Sequence, residues 1–381
     1  MHGNGKYAYD NGNSYDGEIS QGKKHGKGKF VWTDGRVYEG GFREDQIDGS
    51  GKMVFPSGAS LATYEGEFKE ERFHGSGNLL WIDGRLYEGE FIEGKKHGKG
   101  TLSRPCGKTY YGEWREDKMH GSGKMVYSNG ETYDGEWRED KKHGSGKWIF
   151  TDGQMYEGDF DQGKLHGKGK YLWPSGQSYD GDFEEGKITG SGTMVISNGN
   201  MYEGEWRDGT PHGCGRGIES TGDSTISYNG EWREGKEHGR GKRVYSVGFN
   251  YEGEFSEGTM HGVGKITFSG GDTYIGEMRE SIRSGRGAAV DQKVGKYDGE
   301  WSKDKKNGRG KMVYSCGCTY DGEWREGKRN GSGKMVFSNG ETYDGEWRGD
   351  KEHGRGNKVL TDGQIYEGEF GEGKMHGRGK C

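Results

Sequence analysis

Histidine is the residue type whose placement most invites a chemical interpretation. All twelve histidines precede a glycine, and eleven lie ten residues after a tyrosine that opens a Tyr-x-Gly step. The twelfth, His2, takes the same place in a leading half unit. Imidazole side chains bind metal ions and transfer protons near neutral pH, so a regular row of them raises the hypothesis of a metal-binding or acid–base surface.

Five units place other short polar residues where the histidines stand. They are Asp48, Thr189, Ser284, Asn307 and Asn330. What these residues share with histidine is hydrogen bonding to neighbouring backbone in turns, not the ability to ligate a metal. We therefore interpret the histidine position as a structural turn position.

The cysteines offer a second candidate metal site. Cys316 and Cys318 lie two residues apart, and His212 precedes Cys214 by the same spacing. A closed zinc site usually needs four ligands, and neither stretch has a second pair nearby. A metal held within one chain or between two chains remains the alternative, but chance placement is the better explanation. We predict no metal and no cofactor.

The sequence lacks two signatures of enzymes. The only Gly-Lys step followed by Ser or Thr is Gly107-Lys108-Thr109, and Leu102 stands where a phosphate-binding loop requires glycine. The acidic residues recur in every unit, instead of forming one pair of carboxylates with opposed environments. We predict that the protein is not an enzyme and has no catalytic residues.

The positions just described all belong to a repeat. The unit is typified by residues 133–155, YDGEWREDKKHGSGKWIFTDGQM, and its opening tyrosine recurs sixteen times. Thirteen of the fifteen intervals are 23 residues, and two are 26. A fixed short period indicates a repeat architecture. We predict a leading half repeat at 1–14 and a continuous array of sixteen repeats at 15–381, the last one incomplete.

Composition alone would suggest disorder, because 80 residues are glycine, 27% are apolar and 31% are charged. The period argues against disorder, since 48 of the glycines recur in phase in all sixteen units. The net charge of −6 argues against a nucleic-acid partner. The longest apolar run is four residues, and the start lacks the apolar segment of a signal peptide. With an odd number of cysteines, these features favour a cytoplasmic, soluble protein.

Each unit is predicted to form a β-hairpin. From Tyr133 the sequence alternates, so Tyr133, Gly135 and Trp137 should share one face of a strand. A turn is expected over 139–144, followed by a second strand over 146–150 and a Thr-Asp-Gly loop at 151–153.

Side-chain size suggests a register in which large residues face glycine across the strand pair. The proposed opposite pairs are Trp137 with Gly146, Gly135 with Trp148, and Tyr133 with Phe150. The other face would then be ionic, with Glu136 beside Lys147. Exposed ion pairs contribute only about 0.2–1 kcal/mol each, so they indicate which face is solvated more than they stabilise the fold.

The tandem Tyr-Glu-Gly-Glu-Trp and Lys-x-His-Gly-x-Gly steps at 23-residue spacing resemble the MORN (membrane occupation and recognition nexus) repeat family. The resemblance covers essentially the whole chain. It implies an all-β fold, an elongated and twisted antiparallel β-meander of tandem hairpins in one open, solenoid-like sheet. Such arrays occur in cytoskeletal, ciliary and membrane-junction scaffolds.

This resemblance favours a non-enzymatic scaffold that binds cytoskeletal or axonemal proteins, located in the cytoplasm at the cytoskeleton or cilium. The alternative is a peripheral adaptor that binds phosphoinositides and links membrane to cytoskeleton. Lysine pairs such as Lys95-Lys96 and Lys141-Lys142 support that alternative, but interleaved acidic residues weaken it. We expect lipid binding to be weak and unselective.

The aromatic face is the predicted binding surface, because no helix or second sheet in the sequence would cover it and burial should be only partial. The candidate groove comprises Tyr110, Trp114, Tyr127, Tyr133, Trp137, Phe150, Tyr156, Phe160 and Trp173. Neither end of the array carries a polar capping unit, so we expect either a fragment or a homo-oligomer formed through the array ends.

Overall fold

The computed structural model describes residues 2–196 and 198–380. Met1 and Cys381, the expected ends of the array, therefore lie outside the described residues. The fold is all-β, as predicted: the described residues form 33 strands of an open antiparallel sheet and contain no helix. The chain divides into two compact units, Met1–Ile188 and Thr189–Cys381, and the boundary falls within strand β17, Lys187–Val195.

The strands of the first unit alternate between short and slightly longer segments. They are β1 His2–Ala8, β2 Ser14–Ser20, β3 Lys23–Val31, β4 Val37–Arg43, β5 Gln46–Val54, β6 Leu61–Lys69, β7 Arg72–Trp81, β8 Leu86–Ile92, β9 Lys95–Ser103, β10 Thr109–Arg115, β11 Lys118–Val126, β12 Thr132–Arg138, β13 Lys141–Ile149, β14 Met155–Asp161, β15 Lys164–Leu172 and β16 Ser178–Glu184.

The second unit continues the same alternation. Its strands are β18 Met201–Arg207, β19 Thr210–Thr221, β20 Ser224–Arg233, β21 Lys236–Tyr245, β22 Asn250–Ser256, β23 Thr259–Thr267, β24 Thr273–Arg279, β25 Ile282–Asp291, β26 Gly295–Ser302, β27 Lys305–Tyr314, β28 Thr319–Arg325, β29 Lys328–Val336, β30 Thr342–Arg348, β31 Lys351–Val359, β32 Ile365–Gly371 and β33 Lys374–Lys380.

The hairpin turn is shorter than the sequence predicted. Only Glu139 and Asp140 lie between β12 and β13, and both have positive φ angles, 51° and 67°. Two such residues form the tight turn whose twist matches that of paired strands. The side chain of Asp140 accepts a hydrogen bond of 2.9 Å from the backbone N–H of Met119 in the preceding hairpin. The turn therefore also links one repeat to the one before it.

The predicted register was wrong by two residues. Tyr133 lies opposite Trp148, and Gly135 lies opposite Gly146. The glycine pair is required because a Cβ on Gly135 would lie 2.5 Å from the Cα of Gly146. A shift of two residues leaves every side chain on the face it was assigned, so the predicted division of the rings from the charges is unaffected.

The register changes again beyond the glycine pair, where Trp137 lies opposite Lys142. Gly144 accommodates the irregularity with a φ of 56°, and the Glu136 carboxylate lies where its side chain would be. Glu136 accepts a hydrogen bond of 3.2 Å from the backbone N–H of Ser145, so it does not pair with Lys147 as predicted. Lys147 instead forms an ion pair of 3.2 Å with Glu157 of the next repeat.

The core lies on the sheet face that carries Tyr133, Gly135 and Trp137, which we call the ring face. The Trp137 ring packs edge-on against Tyr133 of its own repeat at 5.1 Å and against Tyr110 of the preceding repeat at 5.5 Å. Its indole N–H donates a 2.9 Å hydrogen bond to the carbonyl of Gly123. Consecutive repeats therefore share one row of interlocked rings.

Candidate functional site

The nine residues of the predicted groove separate into two groups. Six are buried core residues, and the expectation that the ring row is only partly buried was wrong for them. They are Tyr110, Trp114, Tyr133, Trp137, Tyr156 and Phe160. The other three, Tyr127, Phe150 and Trp173, are half-buried. Only these three present an accessible aromatic surface.

The buried tyrosines serve a structural purpose. The Tyr133 hydroxyl donates a hydrogen bond of 2.9 Å to the carbonyl of Glu136, and its ring covers the Gly135–Gly146 pair. Burial raises the pKa of Tyr133 above its ordinary value, so the phenol stays neutral near pH 7. These tyrosines donate hydrogen bonds to backbone carbonyls at the register change. Because they are buried, they cannot contact a partner directly.

The half-buried aromatic residues form a column beside the loops that join repeats, which we call the loop-edge column. In the first unit its members are Trp32, Phe55, Trp81, Tyr127, Phe150 and Trp173, and in the second unit Tyr245, Phe268, Tyr314 and Phe337. Phe150 stacks on Trp148 at 4.5 Å and lies 6.0 Å from Tyr171. The column therefore rests on ring-face side chains while part of each member stays exposed.

Sequence reasoning missed the lysines of the ring face. Lys142 is only 6% exposed and lies over the rings of Trp148 and Tyr133. Lys96 lies 4.2 Å from the Trp114 ring centroid. Burial lowers the pKa of Lys142 to about 7 and also lowers that of Lys96. They were missed because residues 139–144 were assigned to a turn, whereas the strand brings Lys142 opposite Trp137.

The lysine pairs are divided between two environments. The second lysine of a pair lies on the ring face, as Lys96 and Lys142 do. The first lysine binds the turn of the following repeat: Lys95 lies 3.5 Å from Glu116, and Lys141 donates a 2.7 Å hydrogen bond to Gln162. These basic residues are therefore already engaged within the protein.

The histidines lie in strands, not in turns as predicted. His143 is within β13 at the register change, and its Nδ1 is 3.1 Å from a carboxylate oxygen of Asp161. In four other repeats the buried Nδ1 atom has no hydrogen-bond partner among the described residues, so the expected side-chain hydrogen bonding is not the shared feature. They are His120, His166, His238 and His353.

The four cysteines within the described residues do not assemble a ligand set. The sulfur atoms of Cys316 and Cys318 are 2.7 Å apart. Within residues 2–196 and 198–380, no three His, Cys, Asp or Glu side chains are grouped around a position suited to a metal ion.

The face opposite the ring face carries a feature that the sequence analysis did not anticipate. One exposed aliphatic residue near the loop recurs in many repeats, beside the ion pairs. The members in the first unit are Val54, Leu80, Ile149 and Leu172, and those in the second unit are Val195, Val244, Val313 and Val336. Side chains alternate between the two faces along each second strand, so Ile149 lies on the face opposite Phe150. We call this row of exposed residues the aliphatic stripe.

Comparison with known proteins identifies the family. The sequence profile of the MORN repeat matches sixteen segments, namely residues 1–14, 15–35, 38–60, 64–84, 87–107, 110–132, 133–155, 156–178, 179–201, 202–216, 228–248, 251–273, 297–319, 320–342, 343–365 and 366–381. The chain belongs to the MORN repeat family. Residues 274–296 are not matched, yet they form the hairpin of β24 and β25 with the same register change. A comparison with curated proteins gives no match.

Two solved structures illustrate a distant similarity. The TCP domain of Drosophila melanogaster SAS-4 (dCPAP), in complex with a proline-rich motif of Ana2 (dSTIL), is 12% identical, with 46% of this chain and 86% of that chain covered and a TM-score of 0.26. The TCP10 domain of Danio rerio CPAP is 12% identical, with 53% and 98% covered and a TM-score of 0.25. Such low scores carry no argument about function. Among the described residues no helix is long and apolar enough to span a membrane.

Proposed function

We propose that the protein is a non-enzymatic MORN-repeat scaffold that binds cytoskeletal or axonemal proteins in the cytoplasm, at the cytoskeleton or cilium, through its ring face. The loop-edge column is the observation that carries this proposal. Half-buried aromatic side chains at a regular interval give a partner repeated apolar contacts, and exposed rows of such residues are typical of binding sites.

On this proposal the residues that contact a partner are three of the nine first expected. Trp137 and Tyr133 are enclosed by neighbouring repeats, so a partner reaches Tyr127, Phe150 and Trp173 and not the core rings. The core rings fix the strands that position this column. A substitution in the core would reduce binding only by disturbing the fold.

Adjacent residues on opposite faces allow a matched test. Phe150 and Trp173 belong to the loop-edge column, while Ile149 and Leu172 precede them on the other face. Phe150→Ala with Trp173→Ala should weaken binding of a partner identified by proximity labelling at least about tenfold, because truncated aromatic anchors typically lose more than 1 kcal/mol each. Ile149→Ala with Leu172→Ala should leave the affinity unchanged. Binding would be measured by calorimetry on variants with wild-type circular dichroism.

The opposite result would reverse the assignment of the faces. If only the Ile149 and Leu172 variant loses the partner, the aliphatic stripe and not the loop-edge column is the binding surface. If neither double variant changes the affinity, the scaffold proposal loses the observation on which it rests.

Phosphoinositide binding is the second candidate function, and one cavity favours it. A space of about 330 Å³ in the first unit is bordered by Arg85, Lys96, Arg104 and Lys108. Arg104 and Lys108 have no ion-pair partner among the described residues. Asp117 and Asp140 line the same cavity, however, and reduce its net positive charge.

Vesicle sedimentation separates the two candidates. At about 0.15 M salt, vesicles with phosphatidylinositol bisphosphate and vesicles with phosphatidylserine of equal charge should bind weakly and equally, since most lysines are already engaged. Selective binding that is lost with Arg104→Gln and Lys108→Gln, but kept with Arg138→Gln on the opposite face, would instead support the lipid-binding adaptor.

A further inference from the structure

One repeat of the second unit lacks a core side chain that its neighbours have. Ala289 of β25 stands where Ile266, Met312 and Met335 stand in nearby repeats, in each case opposite the opening tyrosine. Those three residues are 4%, 1% and 6% exposed, whereas Ala289 stays half-exposed. The small methyl group leaves its site on the ring face unfilled.

The same repeat also interrupts the loop-edge column. Asp291 occupies the position that Phe268 holds in the preceding repeat and Tyr314 holds in the following one. The Asp291 carboxylate accepts hydrogen bonds from the backbone N–H groups of Lys293 at 2.9 Å and Val294 at 2.8 Å. It is therefore satisfied by its own loop, and no aromatic ring lies at this point of the column.

A cavity of about 440 Å³ lies at these two positions and is lined by Ala289 and Asp291. Its apolar walls include Phe268, Tyr297, Trp301 and Met312. The Trp301 indole is held in place by a 2.8 Å hydrogen bond from its N–H to the carbonyl of Gly287. The cavity is within the size range, roughly 300–1,000 Å³, of pockets that bind ligands.

One cation beside the cavity forms no ion pair among the described residues, although the carboxylates of Asp291 and Asp350 lie near enough to favour its charged form. Arg283 is paired with Asp304 at 2.9 Å, and Lys305 is paired with Glu326 at 2.5 Å. Lys306 has no ion-pair partner among the described residues, and its ammonium lies 5.1 Å from the Tyr297 ring centroid. Burial lowers the pKa of Lys306, which indicates that the charge is poorly solvated there. A carboxylate from outside would compensate for this.

We propose that this cavity is a docking pocket for one aromatic side chain of a partner protein, with an adjacent Asp or Glu of that partner paired to Lys306. The occupant follows from the repeats themselves, because the unfilled positions are those that other units fill with methionine, isoleucine, phenylalanine or tyrosine. The acidic neighbour follows from charge complementarity. This inference rests on the proposed scaffold function and specifies partner chemistry at one repeat.

Neighbouring alanines provide a matched pair of variants. Ala289→Met restores the side chain found in the next repeat and should fill the pocket without lowering the melting temperature. Ala288→Met places the same side chain on the exposed opposite face, where Ala288 lies across from Asp298. Both variants should fold, and only the first should close the pocket.

A displayed library of random hexapeptides would be selected against the wild-type chain and both variants. The wild type and Ala288→Met should enrich peptides with an aromatic residue next to Asp or Glu, and Ala289→Met should not. A consensus without an aromatic residue, the same consensus from Ala289→Met, or no enrichment from any chain would overturn the proposal.

The charge is tested with a selected peptide and its Asp→Asn or Glu→Gln counterpart. The wild type should prefer the acidic peptide by about fivefold or more, and Lys306→Met should abolish that preference while still binding the aromatic side chain. The substitution suits the fold because Met119 and Met260 occupy the same position in other repeats. An unchanged preference would refute the role of Lys306.

The pocket and the scaffold proposal can fail separately. A natural partner that loses affinity on Phe150→Ala with Trp173→Ala, but binds Ala289→Met normally, would refute the pocket and leave the scaffold function standing. Loss with Ala289→Met alone would confine the binding function to this repeat.

Discussion

The two faces of the sheet illustrate how a single layer of strands obtains a core. On the ring face, Trp137 packs against tyrosines of two consecutive repeats. Its indole N–H also donates a hydrogen bond to the Gly123 carbonyl on the strand between them. On the opposite face, Lys147 and Glu157 form an exposed ion pair and Ile149 is 41% exposed. The ring face therefore stabilises the fold between repeats, while the opposite face is solvent-exposed and contributes little cohesion.

Trp137→Ala should show the largest difference between the faces. Removing the indole takes a packing partner from Tyr110 and Tyr133 and leaves the Gly123 carbonyl without its donor. We expect a loss of about 3–5 kcal/mol in the free energy of unfolding, measured by urea denaturation.

Arg138→Ala, one residue further on the exposed face, is the control and should change the free energy of unfolding by less than about 0.5 kcal/mol. Similar losses for both variants would mean that the two faces contribute equally to cohesion.

Gly146→Val should cause the second-largest loss of stability. A Cβ at this position would lie 2.5 Å from the Tyr133 hydroxyl oxygen, so the ring would move and its bond to the Glu136 carbonyl would weaken. We expect a loss of about 2–3 kcal/mol, read from the same urea curves.

The neighbouring Ser145→Val substitution places the same side chain on the exposed face and should cost less than about 1 kcal/mol. If Ser145→Val is as damaging as Gly146→Val, the glycine pair is not the close contact that fixes the register.

The sequence predicted the hairpin, the repeat and the division of residues between faces, because strand alternation and glycine phasing are local signals. It did not predict the register, since the irregularity around Gly144 depends on the Glu136 carboxylate filling the space beside it. Nor could it predict that Trp137 is buried, because its partner Tyr110 is 27 residues away. Neither strand alternation nor glycine phasing predicted that Lys142 lies on the ring face.

Lys142→Met should increase the free energy of unfolding, by less than Gly146→Val decreases it. Lys142 has no ion-pair partner among the described residues, so replacing a poorly solvated charge with an apolar side chain should add about 1–2 kcal/mol near pH 7. Lys141→Met, next to it on the exposed side of the turn, is the control and should be nearly neutral. Equal gains for both would show that burial of the charge is not the cause.

The pH dependence gives a second test of Lys142. Because its folded-state pKa is lowered to about 7, the unfolded chain binds a proton that the folded chain does not between about pH 7 and 10. Wild-type stability should rise with pH in that window, and Lys142→Met should reduce the slope. Above about pH 10 the trend should reverse, since the buried tyrosines have raised pKa values and only the unfolded chain ionises.

His143→Asn should have the smallest effect of all, although histidine fills this position in eleven of the sixteen units. Asn307 and Asn330 occupy the equivalent position in β27 and β29, and those strands pass through the same register change. The His143 Nδ1 approaches the partly exposed Asp161 carboxylate at 3.1 Å, and such solvent-exposed contacts contribute little, so little is lost when the ring is removed. Urea denaturation should show a change below about 0.5 kcal/mol. His143→Gly would be the informative companion, because it removes the side chain altogether at a strand position. A large loss with asparagine as well would mean that the imidazole ring itself packs against Asp161 in a way that the other repeats do not require.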